Sequence, residues 1–333
     1  MKKFKAAVIG LGNIGFQFSF DCLRKGVWSH AAAYDECGQT ELCGAVEIDR
    51  KKEGRFNAYY KSRVPVFLTI KELIESTHPD IVSICTPTRT HCAILKELVQ
   101  YPLKAIFCEK PIALSIKEAE EMAALCRKKK ILLAVNHTRR WEQGYLTAKK
   151  IIADGKIGEV TAVNGFYPAQ VFNLGTHLFD IMRFLIAKDP EWALGVYCGP
   201  DKPDPDVSGC LILNGGITCT INAAGKRENL VFEVDVIGSK GRVKISENGR
   251  KVELAVFAKS FNYLGYLELF SKPVKLISGK DRFVAAIDDI VKVLVKEKDF
   301  VNCSGEDGLI ALRMSTALLD SAKKRFTPVR IGV

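Results

Sequence analysis

An apolar segment, Ala6-Ala7-Val8-Ile9, runs directly into Gly10-Leu11-Gly12-Asn13-Ile14-Gly15, and three glycines at this spacing constrain the fold more than any other feature of the chain. The first glycine permits a tight turn after a strand. The second lets backbone approach a pyrophosphate, and the third lets a helix pack closely on the strand. A helix that starts here offers unpaired N–H groups and its positive dipole end to phosphate. The spacing therefore predicts a dinucleotide cradle formed by Gly10, Gly12, Asn13, Ile14 and Gly15.

Apolar runs at 6–9, 42–46, 81–85, 105–108 and 131–135 alternate with helical periods at 14–23, 70–75, 91–99 and 116–126. Continuous apolar strands of this kind belong to a parallel sheet covered on both faces. The expectation is an α/β Rossmann domain, a doubly wound parallel sheet, over residues 1–126. The 131–135 run could still pair with that sheet. From residue 160 the pattern changes to strands at 160–167, 193–198, 210–213, 217–221, 230–236, 242–245 and 252–257. Asn214-Gly215-Gly216 and Gly238-Ser239-Lys240-Gly241 read as hairpin turns between them. Helical patterns at 282–296 and 305–324 close an α+β domain, expected over 127–333, with a large, mostly antiparallel sheet.

At 333 residues the chain suits two domains. Its eleven cysteines form no C-x-x-C pair and most lie in apolar strands, which predicts a reducing, cytoplasmic setting without disulfides. The five histidines show no metal-ligand spacing with them, so no metal is expected. No apolar run is long enough to cross a bilayer. The stretch after Met1-Lys2-Lys3 is too short and too glycine-broken for a secretory signal. The formal charge of +11 comes without a basic helix interleaved with aromatics, which argues against nucleic acid and favours an anionic small molecule.

An acidic residue should end the second strand and accept from the adenosine ribose. Glu47 fits that place, with Asp49 as the alternative. Glu47 lies 32 residues past Gly15, about ten beyond the usual spacing, and the excess is expected near residues 21–28 as a longer helix or an inserted turn. A carboxylate there repels a 2′-phosphate, favouring NAD over NADP, with Arg50 and Lys51 pulling the other way. Cys85-Thr86-Pro87-Thr88-Arg89-Thr90-His91 should pass under the cofactor, with His91 touching the ribose or capping the next helix. Glu109-Lys110-Pro111 puts two charges at the end of a buried strand, a costly placement unless they are used. Farther on, Asn173, His177 and Asp180 fall at i, i+4 and i+7, which on an α-helix is one polar face.

Taken together these residues resemble the glucose–fructose oxidoreductase, inositol dehydrogenase and rhizopine catabolism (Gfo/Idh/MocA) family. The likeness is carried by the glycine motif, Thr86-Pro87 with His91, Glu109-Lys110-Pro111, Arg140-Trp141, Gly175-x-His177-x-x-Asp180 and Ile237-Gly238-Ser239-Lys240-Gly241. It implies an NAD(P)-dependent enzyme that moves hydride between nicotinamide and a sugar, sugar derivative or nucleotide sugar. Lys110 and His177 would be its catalytic pair, and Thr86, Pro87, His91, Glu109 and Lys110 would line the cofactor. Asn173, Asp180, Arg140, Tyr167 and Arg183 are candidate substrate contacts. The resemblance also implies a homodimer or homotetramer joined through the open sheet. Members acting on inositol-like polyols usually carry Asp four residues before the histidine, where this chain has Asn173. An amide cannot stabilise an imidazolium by charge, so His177 should be a weaker base and a better proton donor. Transient use of NAD for hydrolysis or elimination, and a non-catalytic sugar sensor, are the alternative readings.

Overall fold

The computed structural model describes residues 3–199, 202–277 and 279–332. Its elements run β1 (Phe4–Ile9), α1 (His30–Glu36), β2 (Thr40–Val46), α2 (Arg50–Tyr60), β3 (Val66–Phe67), α3 (Ile70–Thr77), β4 (Ile81–Ile84), α4 (His91–Leu98), β5 (Ala105–Cys108), α5 (Ile116–Lys129) and β6 (Leu132–Val135). They continue through α6 (Gln143–Ala153), β7 (Val160–Tyr167), α7 (Thr176–Ile186), β8 (Pro190–Cys198), β9 (Asp206–Leu213), β10 (Ile217–Ala223), β11 (Glu233–Gly238), β12 (Gly241–Ser246), β13 (Lys251–Lys259) and β14 (Leu267–Pro273). The last are α8 (Arg282–Leu294), α9 (Gly305–Lys323) and β15 (Val329–Arg330).

The chain divides into two units, one running to Trp141 and adding Lys280–Leu309, the other comprising Glu142–Gly279 and the chain from Ile310. This differs from the boundary expected at residue 126. The reason is pairing: β6 joins β5 in parallel, from Leu132 opposite Ala105 to Val135 opposite Cys108. Helix α8 also belongs to the first unit, where Asp289 accepts from the Trp141 indole at 3.0 Å and Phe283 packs edge-on against His30.

The first unit holds a six-stranded sheet in the order β3-β2-β1-β4-β5-β6, every pair parallel. All four residues of β4 and of β5 are buried, as a sheet covered on both faces requires. Side-chain caps start several of its helices: Asp49 on α2, a Thr69–Glu72 capping box on α3 and Ser115 on α5. The helix expected over 14–23 does not form. Instead the N–H groups of His30 and Ala31 bond to the carbonyls of Ile14 and Gly15, both at 3.1 Å, so residues 16–29 loop out between two ends that meet. Phe16 pins this insertion by packing edge-on against Phe56 and Tyr59 of α2.

The second unit holds a nine-stranded sheet, β14-β13-β12-β11-β7-β10-β9-β8-β15, antiparallel except where β7 meets β10. Cys219, Ile221, Val234, Val236, Val243 and Ile245 join one core with Ala148 of α6, Leu178 and Ile181 of α7 and Leu318 of α9. Alternate positions such as Thr218, Thr220 and Lys244 are exposed or half-buried, so one sheet face carries the helices and the other stays accessible. Among the described residues no helix is long and apolar enough to cross a membrane.

Phe107 is fully buried in β5, with ring centroids 4.7 Å from His30 and 6.2 Å from Trp141. Phe107→Ala should cost about 3–5 kcal/mol of stability, read by chemical denaturation.

Candidate functional site

Backbone bonds align four strand ends at one edge of the parallel sheet. Gly10 N–H bonds to Val46 O, Cys85 N–H to Ile9 O, Glu109 N–H to Ile84 O and Asn136 N–H to Cys108 O, all within 2.8–3.0 Å. The strand order reverses between β1 and β4, and at that carboxyl edge a doubly wound sheet opens its crevice. Here lies a cavity of about 750 Å³ lined by Gly10, Glu47, Lys52, Thr86, Pro87 and Arg89, among others.

The three glycines do three different things. Gly10 has φ +92°, and a Cβ there would meet Thr86 Cγ2 at 2.9 Å. A Cβ on Gly15 would lie 2.0 Å from the Gly10 carbonyl oxygen. One on Gly12 would meet no protein atom within 4 Å, leaving its backbone open to a ligand. These are the shapes that a pyrophosphate cradle requires, and Asn13 and Ile14 complete the turn between them.

Glu47 is buried and closes this loop from the side. Its Oε2 accepts from Leu11 N at 2.8 Å, and Oε1 accepts from Ile48 N at 2.9 Å and Asp49 N at 3.0 Å. A carboxylate has about four acceptor positions, so one remains for a ribose hydroxyl. Asp49 is taken up as the cap of α2. His91 is buried with Nε2 2.9 Å from Thr86 O and Nδ1 3.1 Å from Pro111 O. It ties the Thr86-Pro87 loop to the segment after Lys110.

Lys110 follows β5 at the same edge, and its peptide bond to Pro111 is cis. The neighbouring Glu109 is buried in a polar cluster that sequence reasoning missed. Its Oε1 accepts from His30 Nε2 at 2.8 Å and from Asn136 Nδ2 at 2.5 Å, while Oε2 accepts from Lys110 N at 3.2 Å. His30 Nδ1 lies 2.9 Å from Ser83 Oγ, which is 2.7 Å from the Tyr34 hydroxyl. Burial alone would raise the Glu109 carboxyl, but bonds from His30 and Asn136 and the Lys110 charge outweigh it and hold it below the usual carboxylate range. A signal was available: Ser83 interrupts the apolar strand 81–85, and a buried hydroxyl there needs a partner.

In the second unit, residues 170–175 form a π-helical turn and α7 begins only at Thr176. Asn173 therefore sits in the π-turn, and the single α-helical face expected for Asn173, His177 and Asp180 is not formed. Such turns recur at functional sites. Asp204 accepts from the backbone N–H of Phe172 and Asn173 at 2.9 and 3.0 Å, and Asn173 Nδ2 donates to Gln170 Oε1 at 3.0 Å. His177 and Asp180 are both buried. Tyr167 is fully buried, its hydroxyl donating to Val207 O at 2.7 Å and accepting from Val207 N at 3.0 Å. Arg183 bonds Asp189 at 2.8 Å. In the first unit, Arg140 bonds Asn302 O at 2.5 Å and Asp307 at 3.1 Å. Each of these bonds runs within a single unit.

Gly12→Ala should leave the melting temperature within about 2 °C of the parent, because its methyl enters empty space, yet weaken NADH binding at least about tenfold by fluorescence titration. Gly15→Ala should lose both stability and NADH binding, since its methyl strikes backbone.

Residues 4–137 match the model of an oxidoreductase family with an NAD-binding Rossmann fold. The chain is similar to inositol 2-dehydrogenase of Rhizobium meliloti, 27% identical over 294 residues that cover 77% of this chain and 83% of that one. In fold it resembles an aldose–aldose oxidoreductase of Caulobacter crescentus, with a TM-score of 0.81, 19% identity and coverage of 99% of this chain and 100% of that one. It also resembles a UDP-N-acetylglucosamine 3-dehydrogenase of Acidithiobacillus ferrooxidans, with a TM-score of 0.78, 19% identity and coverage of 98% and 100%. With its glycine cradle, the Glu47 clamp and the strand-end lysine in place, residues 4–137 carry the NAD-binding Rossmann fold of the Gfo/Idh/MocA oxidoreductase family.

Proposed function

We propose that this protein is an NAD-dependent dehydrogenase or ketoreductase acting on a hydroxyl or keto carbon of a sugar, sugar derivative or nucleotide sugar. The observation that carries this reading is the cradle at Gly10–Gly15 with Lys110 ending β5 at the same sheet edge. The named activities of the inositol, aldose and UDP-sugar relatives support the substrate class, and the basic charge of +11 suits an anionic member of it.

Bound NAD supplies the hydride acceptor at nicotinamide C4. Lys110 holds the substrate oxygen and disperses the charge that develops on it. His177 takes the hydroxyl proton in oxidation and returns it in reduction. Asn173 orients His177 or bonds a neighbouring hydroxyl, and Asp180 supports the same helix. Asn173 is an amide and has no charge of its own to offer a protonated His177. Arg140 and Arg183 are candidate substrate contacts that also make bonds within their own units, and Tyr167, bonded both ways to Val207, is a third. Glu47 selects NAD over NADP by its charge. A cytoplasmic homodimer or homotetramer completes the proposal, consistent with eleven cysteines that are all free thiols.

Purified protein incubated with NAD, then with NADH, against free polyols, aldoses and nucleotide sugars should change nicotinamide absorbance with at least one of them. His177→Ala and Lys110→Ala should each lower that turnover by at least about a hundredfold. Turnover within a few-fold of the parent, or product formed without net change in nicotinamide, would reject the reading.

A further inference from the structure

Nothing in the proposed chemistry uses the buried chain of groups behind Lys110. A carboxylate oxygen only accepts, so His30 donates from Nε2 to Glu109 at 2.8 Å. Its Nδ1 lies 2.9 Å from Ser83 Oγ, which lies 2.7 Å from the Tyr34 hydroxyl. A hydrogen-bonded chain thus runs from Tyr34 through Ser83 and His30 to Glu109. The other oxygen of Glu109 receives the backbone N–H of Lys110. His30 and Ser83 are fully shielded from solvent, so this chain is scaffolding and holds no ligand itself. The charged and titratable groups acting on Glu109 include His30 from α1, Lys110 beside it, and the thiols of Cys85 and Cys108, with the Asn136 amide as a further donor.

We infer that His30 is a positioning residue for Lys110: by donating to Glu109 it holds a buried carboxylate against the Lys110 backbone, fixing the strand end and giving the ammonium a counter-charge. The inference rests on the reading of Lys110 as the substrate-holding group, but its test observes Lys110 itself. Without the His30 donor, burial drives the carboxyl to take up a proton, the counter-charge is lost, and the ammonium releases its proton more readily.

Lysines reductively methylated with ¹³C-formaldehyde report their titration by NMR, and Lys110 is the signal missing from Lys110→Arg. In His30→Leu that signal should titrate about one pH unit lower than in the parent. His30→Gln, whose amide keeps a donor, should recover most of the difference. Glu109→Gln changes charge with little change of shape, should show the same fall, and decides the matter if His30→Leu does not fold. An unmoved Lys110 titration in Glu109→Gln, or no recovery in His30→Gln, would each overturn the inference. A Lys110→Ala enzyme with normal turnover would instead end the catalytic reading and leave these titrations standing.

Discussion

The nucleotide end of this molecule depends on one close approach. Gly15 stands so near the Gly10 carbonyl that even a methyl group would lie 2.0 Å from its oxygen. That contact draws the turn tightly over the end of β1, where Gly10 N–H bonds to the end of β2. Glu47, next in the chain after β2, then reaches back to the N–H of Leu11. The loop is therefore closed on both sides by groups that belong to its own sheet, and only the Gly12 face is left open. His91 carries the same order outward, joining the Thr86 carbonyl to those of Pro111 and Ile112. The glycine turn and the lysine strand are thus parts of one hydrogen-bonded edge.

Two carboxylates near that edge show how a buried charge can serve construction as well as recognition. Removing a carboxylate from water costs several kcal/mol unless donors replace the lost solvent. Glu47 obtains backbone donors and remains able to take a hydroxyl. Glu109 obtains an imidazole, an amide and a peptide N–H. The second unit repeats the device with Asp204 and Asp206, whose oxygens receive N–H groups of the π-helical turn at Gln170, Phe172 and Asn173. In each case an acid spares backbone donors that the irregular local geometry leaves without a helical or strand partner.

Elements with a continuous apolar run were legible in the sequence, because burial on both faces leaves no room for polar residues: β1, β2, β4, β5 and β6 all lie where such runs predict them. Helix α2 was not, since only Phe56 and Tyr60 of its eleven residues are buried and no apolar stripe marks it. The run from Ile14 to Leu23 imitates a helical period because Phe16 and Phe20 serve a different purpose, packing on the aromatic residues of α2. The glycine roles could be read from spacing, since each is a local demand on the backbone. The tasks of Arg140 and Tyr167 could not. Their partners lie 167 and 40 residues away, and only the folded chain brings them together. His30 escaped for the same reason, with Glu109 79 residues distant.

The insertion at residues 16–29 leaves and re-enters the backbone at two points that hydrogen-bond each other, so the helical ladder passes from Gly15 to Ala31 as if the intervening segment were a side branch. Such a branch can lengthen, shorten or change its chemistry over generations while the register of everything downstream, His30 included, stays the same. Its tip carries Cys22 and Leu23 in full contact with solvent. A branch with an exposed tip is therefore rooted one peptide away from the close backbone approach that shapes the cradle.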